Sequence, residues 1–118
     1  MNKTLPKDDL GKLLGLTAFV LGGLLRLHTA YQAGFPIGDG GLFYIMIKAI
    51  QDNGYRLPEF VHYNGLNIPF TYPPLAFYLT GGISGILKIS PITVIQWFPA
   101  VILTFSIFAF YQLAKALL

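Results

Sequence analysis

From Ile89 to Ala114 the chain carries no charged residue, and an uncharged stretch of that length limits the fold more than any other feature. About 20 consecutive apolar residues match the hydrocarbon thickness of a bilayer. In water such a segment has to be buried on every side. With 54% hydrophobic and 11% charged residues among 118, this chain has little polar material to cover it, since a soluble domain carries about 25% charged residues. Lipid is the natural solvent for the segment.

Two further blocks read the same way. Leu13–Leu25 is uncharged and reaches spanning length by continuing past Arg26 and His28, which then sit near a membrane face. Tyr72-Pro73-Pro74 opens a block that runs to Leu87 and stops at Lys88. The predicted fold is therefore all-α: a polytopic membrane protein with three transmembrane helices, at about 11–30, 73–88 and 91–115, and a polar loop at 31–72. A cleaved signal peptide is rejected because no small-x-small site follows Leu25. Lys3, Lys7 and Lys12 before the first span and Lys88 between the last two place those ends in the cytoplasm of a multi-pass cell-membrane protein, with loop 31–72 external.

Ser90-Pro91 reads as an N-cap followed by proline at the first helical position. Pro99 falls inside the third span and predicts a kink with a freed carbonyl. Gly11-x-x-x-Gly15 and Gly81-x-x-x-Gly85 place small residues where another helix can approach.

In the loop, Leu42–Asp52 has helical periodicity, with Phe43, Met46, Ile47 and Ile50 on one face and Tyr44, Lys48, Gln51 and Asp52 on the other. This predicts an interfacial amphipathic helix, apolar side on the membrane, started by Asp39 or a neighbouring glycine and stopped by Gly54. Tyr55–Thr71 shows no sustained period and reads as ordered coil held by Phe60, Tyr63 and Phe70.

Several chemistries are excluded. The net charge of +3 comes without a basic run, which excludes nucleic acid as a partner. There is no cysteine for a thiolate or a disulfide. His28 and His62 lack a spaced partner ligand, so no metal-binding residue is assigned. The remaining candidate is Asp39, in Gly38-Asp39-Gly40-Gly41. A carboxylate there can act as general base towards a hydroxyl, bind a divalent cation, or simply cap the following helix. Arg26 divides similarly between snorkelling to the interface and holding a lipid phosphate or carboxylate.

The order of these elements resembles the N-terminal part of the GT-C class of membrane glycosyltransferases. That superfamily includes the protein O-mannosyltransferases and the bacterial aminoarabinose and lipopolysaccharide sugar transferases. The resemblance rests on Leu24-Leu25-Arg26-Leu27 closing the first span, on an acidic motif in the outer loop, on the loop helix, and on Tyr72-Pro73-Pro74-Leu75 opening the second span. It implies that Asp39 is the catalytic carboxylate activating the acceptor, with Arg26, Tyr44, Tyr72, Pro73 and Pro74 as substrate-binding residues. The donor would be a sugar on polyprenyl phosphate, transferred on the outer face. The membrane lipid and further transmembrane helices of a longer protein would be its partners, the present chain being an N-terminal fragment that does not catalyse alone. The family's second acid, directly after the first, is replaced here by Gly40, which favours a general base over a two-carboxylate metal site. The competing reading is a non-catalytic small multi-span membrane subunit.

Overall fold

In a computed structural model, residues 7–34 and 38–117 are described. They form α1 (Lys7–Ala33), α2 (Gly40–Asp52), β1 (Phe60–Tyr63), β2 (Leu66–Pro69), α3 (Leu75–Leu87) and α4 (Pro91–Leu117). The chain divides into two compact units, one made of residues up to Gln32 with those from Pro99 onward, the other of Ala33–Phe98.

Among the described residues two helices are long and apolar enough to cross a membrane, α1 and α4. Each has 27 residues, which at 1.5 Å per residue gives about 40 Å against a hydrocarbon core of about 30 Å. Ser90 starts α4 as expected: Ile92 N–H donates to Ser90 Oγ at 3.3 Å, and Pro91 is the first helical residue. Pro99 stands within a continuous helix, at the boundary of the two units.

The expected middle span is not among the helices of membrane-crossing length. The block after Tyr72 forms a helix of only 13 residues, α3, about 20 Å long at the helical rise. Pro74 occupies its N-cap and Lys88 ends it in the left-handed conformation, φ 54°. Ser84 Oγ donates to the Ile89 carbonyl at 2.7 Å across this end, so the turn after the apolar run is held by local hydrogen bonding.

Within the first unit α1 and α4 pack antiparallel. A Cβ on Gly15 would lie 2.6 Å from the Tyr111 ring, one on Gly22 2.5 Å from Ile107 Cδ1, and one on Gly23 2.8 Å from Thr104 Cγ2. The small residues that admit α4 are thus Gly15, Gly22 and Gly23, whereas Gly11 meets nothing within 4 Å. Phe19 and Phe105 close the contact with ring centroids 6.1 Å apart.

The second unit is built around α2. Met46, Ile47 and Ile50 are fully buried with Val61 of β1 and Phe77 of α3, and Phe43, Ile68, Phe70 and Ile95 pack around them. This corrects the expectation of an interfacial α2, because its apolar face is covered by protein rather than laid on lipid. α3 exposes apolar positions instead, Leu75 being 69% and Ile86 82% exposed, as β1 and β2 do at Phe60 and Leu66. α2 ends as expected at Gly54, φ 62°, with Tyr55 N–H donating to the Ile50 carbonyl at 2.8 Å.

The stretch read as coil also differs, since it contains an antiparallel hairpin, and the fold is mostly helical rather than all-α. Val61 pairs with Ile68 and His62 with Asn67. Asn64 and Gly65 both have positive φ, 51° and 76°, as a two-residue type I′ turn requires. Gly81-x-x-x-Gly85 lies against α2 as expected, a Cβ on Gly81 falling 3.5 Å from Ile47 Cγ2 and 3.6 Å from Gln51 Cγ. It seats Tyr55, whose Oη lies 3.0 Å from the position of a Cβ on Gly85.

Candidate functional site

Asp39 occupies the N-cap position of α2, and its carbonyl accepts the Phe43 N–H at 2.9 Å. Its carboxylate makes no capping hydrogen bond and is exposed to solvent. A typical N-cap aspartate folds back onto the second or third amide of the helix. Here the charged group stays outside that arrangement, at the positive end of the helix dipole. Gly40 directly after it is buried, so the one position that would carry a paired acid faces the interior of the unit.

The hairpin brings a second polar group to this helix end. Tyr63 Oη stands 3.4 Å from where a Cβ on Gly41 would be. A hydroxyl against the first turn of α2, one residue from the buried Gly40, was given only a scaffolding part by its sequence position. The signal that places it is the Asn64-Gly65 turn, which reverses the strand carrying it.

Tyr72 reaches the same helix turn through its ring. It packs edge-on against Phe43, centroids 5.4 Å apart, and against Phe77 at 6.3 Å; Phe43 also meets Phe77 at 5.5 Å. The amide of Phe43 is hydrogen-bonded to Asp39, so Tyr72 and Asp39 are tied to one turn of α2. Tyr44 follows Phe43 on α2 and is half-buried. Pro74 has a structural duty, its carbonyl accepting the Tyr78 amide at 3.0 Å, while Pro73 is exposed beside it.

Arg26 belongs to the other unit. It is half-buried on α1, with Nη1 3.5 Å from the Gly22 carbonyl. It borders an open groove of about 460 Å³ along α1 and α4, with Ala18, Ser106, Ile107, Phe110 and Tyr111. A guanidinium ending an apolar groove suits an amphiphile with an anionic head. Among the described residues no three His, Cys, Asp or Glu side chains gather as a metal site, so Asp39 offers a cation a single carboxylate.

No protein-family model, curated protein or solved structure matches the chain. The two long apolar helices define a membrane-protein candidate.

Proposed function

We propose that this chain is the N-terminal part of a membrane glycosyltransferase of the GT-C class, with Asp39 as its general base. The observation that carries the reading is the exposed Asp39 carboxylate, which the helix it precedes does not use as a cap. In the proposed step an acceptor hydroxyl gives its proton to Asp39 and its oxygen bonds to the anomeric carbon of the sugar. The bond from that carbon to the phosphate oxygen breaks, and polyprenyl phosphate leaves with the electron pair. Removing the proton as the oxygen attacks is worth roughly 10²–10⁴ in rate.

Arg26 serves in this reading as a cation for a lipid phosphate, its groove taking the apolar chain. Tyr72 holds Phe43 and with it the start of α2, and Pro73 and Pro74 begin the helix that supplies Phe77 to the same aromatic cluster. Tyr44 is carried on the same helix as the catalytic carboxylate.

The two long apolar helices support a membrane placement. With α1 and α4 as the spans, segment 34–90 lies on one side, external to the cell membrane, and Lys12 and Lys115 share the cytoplasmic side, as the positive-inside tendency asks. Lys88 is then external.

The test is Asp39→Asn in the encoded protein, assayed for transfer of labelled sugar from a polyprenyl-phosphate donor in membrane vesicles. A drop of about 100-fold or more at normal expression is expected. Transfer at the wild-type rate would remove Asp39 from the chemistry.

A further inference from the structure

The α1–α4 pair carries a second groove, distinct from the one that Arg26 borders. It has a volume of about 440 Å³ and is lined by Lys12, Leu16, Phe19, Phe105, Phe108 and Tyr111, with Gly15 at its floor. Leu16 is 61% and Phe105 63% exposed, so the slot is open along its length. The two helices run antiparallel, Gly15 meeting Tyr111 and Gly23 meeting Thr104. Lys12 therefore lies at the end of the slot where α4 finishes. Lys115, one turn beyond Tyr111, falls on the same helix face at that same end.

We propose that this slot binds an anionic phospholipid, one acyl chain lying against Leu16, Phe19, Phe105 and Phe108 and the phosphate meeting Lys12 and Lys115. The choice of occupant follows from charge. Among the described side chains this end of the slot carries Lys12 and Lys115 against Asp9, an excess of positive charge of the kind that gathers anionic headgroups. Among the described residues Lys12 Nζ is paired with Asp9, whose Oδ1 is 3.3 Å away. Both side chains are more than half exposed, and an exposed pair of this kind is weak, so a phosphate can replace the carboxylate. The inference needs α1 and α4 to be membrane spans; it does not depend on glycosyl transfer.

The chain has a single tryptophan, Trp97, so a reporter can be moved into the slot as Trp97→Phe with Phe108→Trp. The protein is reconstituted in phosphatidylcholine vesicles containing increasing fractions of dibrominated phosphatidylglycerol or dibrominated phosphatidylcholine. Half-maximal quenching is expected at an at least fivefold lower fraction of the anionic lipid. Adding Lys12→Gln and Lys115→Gln should bring the two curves within twofold. A control reporter, Leu14→Trp, on an exposed part of α1 outside the slot, should show no such preference. Equal curves for the Phe108 reporter, or the same preference at Leu14, would overturn the proposal. Absence of quenching by either lipid would also overturn it and would assign the slot to protein, another helix or a second copy. If Phe108→Trp does not fold by circular dichroism and gel filtration, Leu16→Trp reads the same slot.

Discussion

The hydroxyl of Tyr55 donates to the carbonyl oxygen of Gly81 at 2.9 Å, joining the residue just past α2 to the middle of α3. Gln51 Nε2 donates to the same oxygen at 3.0 Å, and Tyr55 itself takes a left-handed φ of 60°. A non-glycine residue is held there by its surroundings, because that conformation costs about 1–2 kcal/mol. The contact fixes the end of α2 against α3, and through α2 it fixes the helix that begins at Asp39.

Two glycines of α3 should therefore answer differently to the same change. A Cβ on Gly81 meets Ile47, Gln51 and Tyr55 at 3.5–3.7 Å, ordinary contact, and alanine gains up to about 1 kcal/mol of helix propensity. On Gly85 it meets Tyr55 Oη at 3.0 Å and forces the phenol to move. Thermal unfolding in detergent should show Gly81→Ala neutral or stabilised and Gly85→Ala destabilised, by about 1 kcal/mol if the Tyr55 hydrogen bond is lost. The reverse order would mean that Tyr55 is not seated as described.

Replacing Asp39 should leave the fold almost untouched. A capping aspartate costs about 0.5–2 kcal/mol when lost, but this carboxylate makes no cap bond and keeps only a helix-dipole term of about 0.3–1 kcal/mol. Asp39→Ala is expected to lower stability by under about 1 kcal/mol on this ground. A loss of 2 kcal/mol or more, read from helix signal against temperature, would restore the capping role.

The contact between α1 and α4 should depend on Gly15 and Gly22 and not on Gly11. The chain has no native cysteine, so cysteines replacing Phe19 and Phe105, whose rings are 6.1 Å apart, can be joined by a short dimaleimide. Crosslinking should survive Gly11→Leu and fail in Gly15→Leu/Gly22→Leu, since leucine cannot occupy space already held by Tyr111 and Ile107.

A two-span protein and a three-span protein differ in where Lys88 lies. Single cysteines at 39 and 88, probed with an impermeant maleimide on intact cells, should label from the same outer side if α3 does not cross. Labelling of 39 alone would make the short helix a span.

Much of this architecture was legible in the sequence, and where it was not the reason is physical. The capping of α4 by Ser90 and the stop at Gly54 are local matters, decided within a few residues, and both stand as read. The periodicity of Phe43, Met46, Ile47 and Ile50 correctly marks an amphipathic helix. Periodicity gives the direction of the apolar face but not what covers it, and only the tertiary arrangement puts Val61 and Phe77 there. The hairpin was within reach, since Asn64-Gly65 between apolar strands is the strongest short-range turn signal. Aromatic density around it obscured the alternation. The C-terminal end of α3 was legible, since the apolar block stops at Lys88 and the helix ends at Leu87; what hydropathy does not give is whether so short a helix crosses a membrane. At the candidate site, Asp39 stood out from its glycine setting, whereas Tyr63 joins it only because the hairpin folds back.

The burial of Met46 has a consequence for following this protein in time. With no exposed surface, its thioether is out of reach of peroxide, and sulfoxide can form only when the unit around α2 opens. A sulfoxide in place of a core thioether disrupts packing, so each oxidation event traps the opening that allowed it. The chain has one other methionine, at position 1, and the two are separable by proteolysis. The rate of Met46 oxidation is thus a built-in clock for how often the segment carrying Asp39 comes apart.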